Sequence, residues 1–213
     1  MTEEDPVGRP RLHEGGGSRA VVESAIAHFY ARGYHGTSMR DIASGAGVTV
    51  ASIYHHFPSK QAILQHIMHT TLTDVLERTR QAVASAPETH GERLGALMCA
   101  WVGFHAERGQ EALISAVEFR SLEEPGRTHV VALRDEQEQV FRDVATAGVA
   151  GGEFLTAHPV EAARGIIAMG YAVVNWYDPG GHLGPRELAA KYRDLALATV
   201  EHRCRTSTRP DLQ

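Results

Sequence analysis

Cysteine is nearly absent from this chain, and the two present, Cys99 and Cys204, are isolated and far apart. Neither a disulfide framework nor a paired-cysteine metal or redox site can be built from them, so they read as reduced thiols of a cytoplasmic protein. Long apolar runs are missing as well. No stretch approaches the roughly 18 residues that a membrane-spanning helix requires. The opening MTEEDPVGRPRLHEGGGS has no apolar centre, so no signal peptide is expected; residues 1–17 read as a disordered arm, as does the tail 206–213. Catalytic signatures are also lacking: there is no nucleophile elbow, phosphate loop, HExxH or CxxC pair. No enzyme and no cofactor is expected. Strand-type alternation does not occur, which leaves an all-α chain. Its 213 residues have room for one small and one medium domain, with 43% apolar residues to fill their cores.

What is present is concentrated in residues 37–60, TSMRDIASGAGVTVASIYHHFPSK. Thr37 is expected to cap a helix, with Ser38 just inside it and Asp41 complementing the dipole of its first turn. Gly45 and Gly47 supply the permissive backbone for a sharp turn, and Thr49 caps a second helix. Ile53 and Phe57, four apart, point inward on that helix. Val50, Ala51, Ser52, Tyr54, His55 and His56 are left on the outside, although His56 is expected to pack or cap. Pro58 ends the helix, and Ser59 caps a third. This order of elements is how a helix-turn-helix protein presents a recognition helix to the major groove.

The preceding SRAVVESAIAHFYARGYHGTSMRDIA and the closing IYHHFPSK together resemble the DNA-binding domain of the TetR family of bacterial repressors, over about residues 18–65. The resemblance implies an N-terminal three-helix domain at 18–65, followed by a helical ligand-binding and dimerisation domain at 66–205, about nine helices in all. Helices are expected at 18–32, at 59–85 as a connector, then at 88–107, 110–122, 126–150, 159–177 and 185–203. Glycine and proline breaks separate them.

The net charge of −5 is unevenly distributed. Between Gly17 and His66, Arg19, Arg32, Arg40 and Lys60 face only Glu23 and Asp41. A mildly basic reading head on an acidic body suits double-stranded DNA as partner. Ser38 and the amides near Thr37 are placed to hold one phosphate, and Lys60 a second. Thr49, Val50 and Ser52, with Arg40, are candidates for base edges. Ala51 permits close approach. The resemblance implies backbone or thymine-methyl contacts for Tyr54 and His55; at Val50 the family more often has lysine or another polar residue, which shifts reading there toward methyl contacts.

The last two helices carry apolar residues on more than one face. Ala162, Ile166, Met169, Val173 and Trp176 form one stripe, and Leu188, Tyr192, Leu195 and Thr199 another. Ala163, Gly170, Val174, Ala189, Ala196 and Val200 widen them. Such helices must be covered on most sides, and a homodimer through these two helices, reading a palindromic operator, is expected.

For an effector site, Met98, Trp101, Phe104, Phe119, Met169 and Trp176 are candidate apolar walls, with Phe141 and Tyr171 as further plausible ones, and His105, Arg120 and Arg164 are candidate orienting polar groups, beside Glu118 and Asn175. Arg164, beside small residues on an apolar helix, is expected to be a buried guanidinium in need of an anion. The segment from Gly152 to Leu197 resembles TetR-type regulators of fatty-acid and steroid catabolism, which implies an acyl-CoA thioester as effector. Two alternatives stand beside it. One is a multidrug-type repressor. The other is a metal-responsive regulator, suggested by thirteen histidines and the His66/His69 pair.

Overall fold

The computed structural model describes residues 14–203, with side chains from Gly17 onward. Residues 1–13 of the expected arm, the expected tail and Cys204 lie outside the described residues. Nine α-helices and two short 3-10 turns make up the described chain, which has no strand. No described helix is long and apolar enough to cross a membrane. The chain divides into two compact units between Ile67 and Met68.

The first unit holds α1 (Glu14–Arg32), α2 (Met39–Ala46), α3 (Val50–His56) and the start of α4 (Lys60–Ser85). Its core is a small apolar knot of Val21, Ala25, Phe29, Tyr34, Ile42, Ile53, Phe57 and Ile63. α1 begins four residues before Ser18, running through three glycines that the sequence reads as arm; glycine disfavours helix by about 1 kcal/mol per residue, a weak preference that tertiary context overrides.

The second unit is built around α5 (His90–Glu107), which packs against α7 (Gly126–Ala150), α8 (Pro159–Tyr171) and α9 (Pro185–Thr199). α6 (Gly109–Val117) continues as a 3-10 turn over Glu118–Ser121, and α8 as another over Ala172–Asn175. The expected helices at 110–122 and 159–177 therefore tighten before they end, as 3-10 geometry commonly does at helix termini. On α9 the buried face is Leu188, Ala189 and Ala196, where small side chains let the helix lie close along α5; Cys99 Sγ sits 3.7 Å from the Ala189 carbonyl oxygen. On the other side Leu195 is 49% exposed, and Trp176, which precedes α9 and is 53% exposed, stacks on half-buried Tyr192.

Candidate DNA-reading head and effector cavity

Local chemistry fixes the reading head. The N-cap of α2 is Ser38, one residue later than expected. Its hydroxyl accepts from the Asp41 amide at 3.2 Å, while the Asp41 carboxylate accepts from the Ser38 amide at 2.8 Å and hydroxyl at 2.6 Å. The reciprocal box needs an acid three residues after the cap, and Asp41 stands in that register to Ser38, not to Thr37. Those bonds hold the Asp41 carboxyl below its usual range. Thr37 turns inward instead, 2% exposed, and its hydroxyl reaches the carbonyls of Gly33 at 2.9 Å and His28 at 3.2 Å. Neither its hydroxyl nor the Ser38 hydroxyl is left waiting for a phosphate.

The turn between α2 and α3 depends on Gly47, whose φ of +67° caps α2 in the left-handed region. Gly45 has a different reason from the one expected. It is helical, and a Cβ there would stand 2.4 Å from Ser24 Oγ, so α2 sits too close to α1 for any side chain. Thr49 caps α3 by accepting the Ser52 amide at 3.1 Å. Ile53 and Phe57 are buried, while Ala51, Tyr54, His55 and His56 are exposed and Val50 and Ser52 half-buried. His56 is exposed, its ring lying beside Gly17 of α1, and it does not cap; Phe57 is the C-cap of α3. Arg40 is exposed and makes no ion pair among the described residues, whereas Arg32 lies 3.6 Å from Asp41 and Arg19 2.7 Å from Glu23.

Lys60 departs most from expectation. Its ammonium donates to the carbonyls of Tyr34 and Thr37, both at 2.7 Å, and lies 4.1 Å from the centre of the Tyr34 ring. Its charge holds the loop before α2 against the start of α4. Arg40, Thr49, Val50, Ala51, Ser52, Tyr54 and His55 remain as the exposed or half-exposed rim.

The second unit contains a cavity of about 350 Å³. Its walls are Thr71 and Leu72 of α4, Trp101, Phe104 and His105 of α5, Ala112, Ser115 and Ala116 of α6, Arg134, Gln137 and Glu138 of α7, and Ile167 and Tyr171 of α8. Three of the nine expected effector residues, Trp101, Phe104 and His105, line it; the other six do not. Met98 is wholly buried in the core, close to Gly170, and Met169 packs against that core from the side. Phe119 lies under Arg134, 4.4 Å from guanidinium to ring centre. Arg120 and Trp176 are exposed. Arg164 is not buried: its side chain is 57% exposed and pairs with Glu138 at 3.0 Å. Beside it Ala163 faces inward, while Gly165 is exposed like the arginine itself.

Most polar groups of the cavity are already satisfied. Trp101 Nε1 donates to the Ile167 carbonyl at 3.2 Å, and Tyr171 donates to that of Ala112 at 2.8 Å. The Gln137 amide meets buried Thr79 of α4 at 3.1 Å. Burial drives the Tyr171 hydroxyl up to about 12 and pulls the His105 imidazole down to about 4. His105 is therefore neutral at physiological pH. Its Nδ1 lies 2.7 Å from the Trp101 carbonyl and must carry the proton, so Nε2 is left as an acceptor. Tyr171, one of the further plausible walls, also lines the cavity, whereas Arg134 and Gln137 were not expected there. Half-buried Arg134 and buried Gln137 continue, at helical spacing, the buried stripe of Phe141, Val144 and Gly148, the one sequence signal that points to them.

A helix-turn-helix head joined by one continuous helix to a helical body with an internal cavity defines a DNA-binding regulator of the one-component kind. Residues 21–67 match the family described as "Bacterial regulatory proteins, tetR family", and residues 87–200 match "Tetracyclin repressor-like, C-terminal domain". The chain belongs to the TetR family. Among its relatives is the HTH-type transcriptional repressor KstR2 of Mycobacterium tuberculosis, 27% identical over 181 residues, which span 84% of this chain and 90% of that one. KstR2 of Rhodococcus jostii is 28% identical over 178 residues, 83% and 87% of the two chains. The solved structure of the ketosteroid transcriptional regulator KstR2 of M. tuberculosis superposes with a TM-score of 0.81 at 27% identity, covering 91% of this chain and all but 2% of that one (98% covered). AibR, solved in complex with isovaleryl coenzyme A and operator DNA, shares the fold at a TM-score of 0.76 and 24% identity, over 87% and 99% of the chains.

Proposed function

We propose that this TetR-family regulator is a cytoplasmic repressor that binds palindromic operators as a homodimer and leaves them when an acyl-CoA thioester of lipid or steroid catabolism occupies its cavity. In this reading residues up to about 67 are the reading head and the rest is the effector and dimerisation domain. Repression is carried over from the KstR2 relatives, which are described as repressors. The steroid connection comes from the ketosteroid regulator, and the thioester from AibR, whose fold holds isovaleryl coenzyme A. The acyl part fits the cavity, which lies at the lower end of the usual range for small-molecule sites. The nucleotide and pantetheine arms are too large for about 350 Å³ and lie outside it.

The observation that carries the release mechanism is that α4 supplies Thr71 and Leu72 to the cavity wall, while the same unbroken helix begins at Lys60 in the reading head. A ligand that prefers a shifted α4 favours dimers whose heads miss the half-site spacing. The test is titration of acyl-CoA thioesters into the operator complex, with the operator found by selection from random duplexes. Release by short or cyclic acyl-CoAs is expected; no release by any thioester, with release by an uncharged drug, makes it a multidrug-type repressor instead.

A further inference from the structure

One guanidinium on the cavity wall has no anion. Arg134 donates to the Ser115 backbone carbonyl, lies over the Phe119 ring, and makes no ion pair among the described residues. Glu138, the single carboxylate among the lining residues, stands one turn further along α7 and is held by Arg164 at 3.0 Å and Arg142 at 3.8 Å. The other titratable walls are neutral, His105 deprotonated and Tyr171 protonated. Burial works against the charge of Arg134 and lowers its pKa, but an arginine does not lose its proton in a protein. A partly desolvated cation in an apolar pocket, with its neighbouring carboxylate already engaged, is a receptor for an oxyanion in planar, two-oxygen geometry.

We propose that the cavity selects a compact apolar molecule bearing a carboxylate, and that this carboxylate pairs with Arg134. The proposal rests on the effector reading above and narrows it. The carboxylate has two sources: a terminal carboxyl on the acyl group of a thioester, or the free acid itself. A plain saturated acyl chain leaves Arg134 unpaired and is the poorer ligand.

Trp101 lines the cavity, so its fluorescence reports occupancy in the full chain without DNA. Two matched pairs of probes are compared: adipoyl-CoA with hexanoyl-CoA, and cyclohexanepropionate with its methyl ester. The carboxylate member of a pair is expected to bind at least about tenfold more tightly, and Arg134→Gln to bring that ratio near one, with Arg134→Lys restoring part of it. A preference for adipoyl-CoA assigns the carboxylate to the acyl group of a thioester. A preference confined to the free acid, with neither thioester bound, keeps the Arg134 assignment and removes the acyl-CoA reading. Equal binding within both pairs, a preference that survives Arg134→Gln, or no response to any probe overturns the proposal. Should Arg134→Gln fail to fold, Arg134→Lys carries the assignment, a fall in the ratio being expected and an unchanged ratio overturning it, while equal wild-type binding within both pairs overturns the proposal without any variant.

Discussion

Three of the four cations between Gly17 and His66 already have protein partners: Arg19 has Glu23, Arg32 has Asp41, and Lys60 has two carbonyls. The first two pairs are exposed, and such pairs are worth little and exchange readily for phosphate. Lys60 is different, since its bonds hold the loop that positions α2. Arg40 and Lys60 should therefore separate under mutation. Arg40→Ala is expected to leave the thermal melt unchanged while weakening operator binding and flattening its salt dependence by about one counterion per half-site. Lys60→Met is expected to lower stability by about 1–3 kcal/mol, because the partly buried carbonyls of Tyr34 and Thr37 lose the ammonium, the first keeping the Thr37 amide at 3.3 Å. Melting curves alongside binding isotherms at several salt concentrations check both. A melt lowered by Arg40→Ala, or untouched by Lys60→Met, contradicts this division of labour.

Among the helices, what could be read from sequence was whatever local chemistry decides. The turn glycine Gly47, the cap Thr49, Pro58, and the loop Asp178-Pro179-Gly180-Gly181 all act within a few residues, so the elements fall where they should. Packing was less legible. Arg134 sits in the run RDEQEQ, which reads as a solvated face, and periodicity cannot say which apolar residue faces a void and which faces another side chain. Met98 and Trp101 illustrate this: both are buried on α5, but only the second lines the cavity. On α9 the sequence offered two apolar faces, and the structure buries Leu188, Ala189 and Ala196, leaving Leu195 outward, with Tyr192 half-buried against the core and Trp176 stacked on it. That outward face is the proposed dimer seam. Leu195→Glu places a charge there without touching the packing of Ala189 and Ala196 on α5. It is expected to yield monomers by sedimentation at micromolar concentration, with an unchanged helical signal and about 100-fold weaker operator binding as the second half-site is lost. Dimers that persist with wild-type affinity exclude this face.

For the whole molecule, the proposed switch needs a path from cavity to α4 that ligand and operator both bias. Thr71 and Leu72 touch the cavity directly, and the Arg108 guanidinium ties α4 to the cavity by a second route. It bonds Asp74 on α4 and Glu111 on α6, the latter at 3.0 Å, and lies over the ring of the cavity residue Phe104 at 5.5 Å. Asp74 lines neither the effector cavity nor the DNA-facing rim. Allosteric coupling is reciprocal, so whatever factor the effector removes from operator affinity, the operator must remove from effector affinity. Asp74→Asn weakens the tie between α4 and Arg108 while leaving Glu111 as its partner. It is expected to reduce that shared factor by about 2- to 30-fold, a change of roughly 0.5–2 kcal/mol in coupling. The measurement is effector binding followed by Trp101 fluorescence, with and without saturating operator, in wild type and variant. An unchanged factor means that α4 is moved from the cavity wall at Thr71 and Leu72 alone.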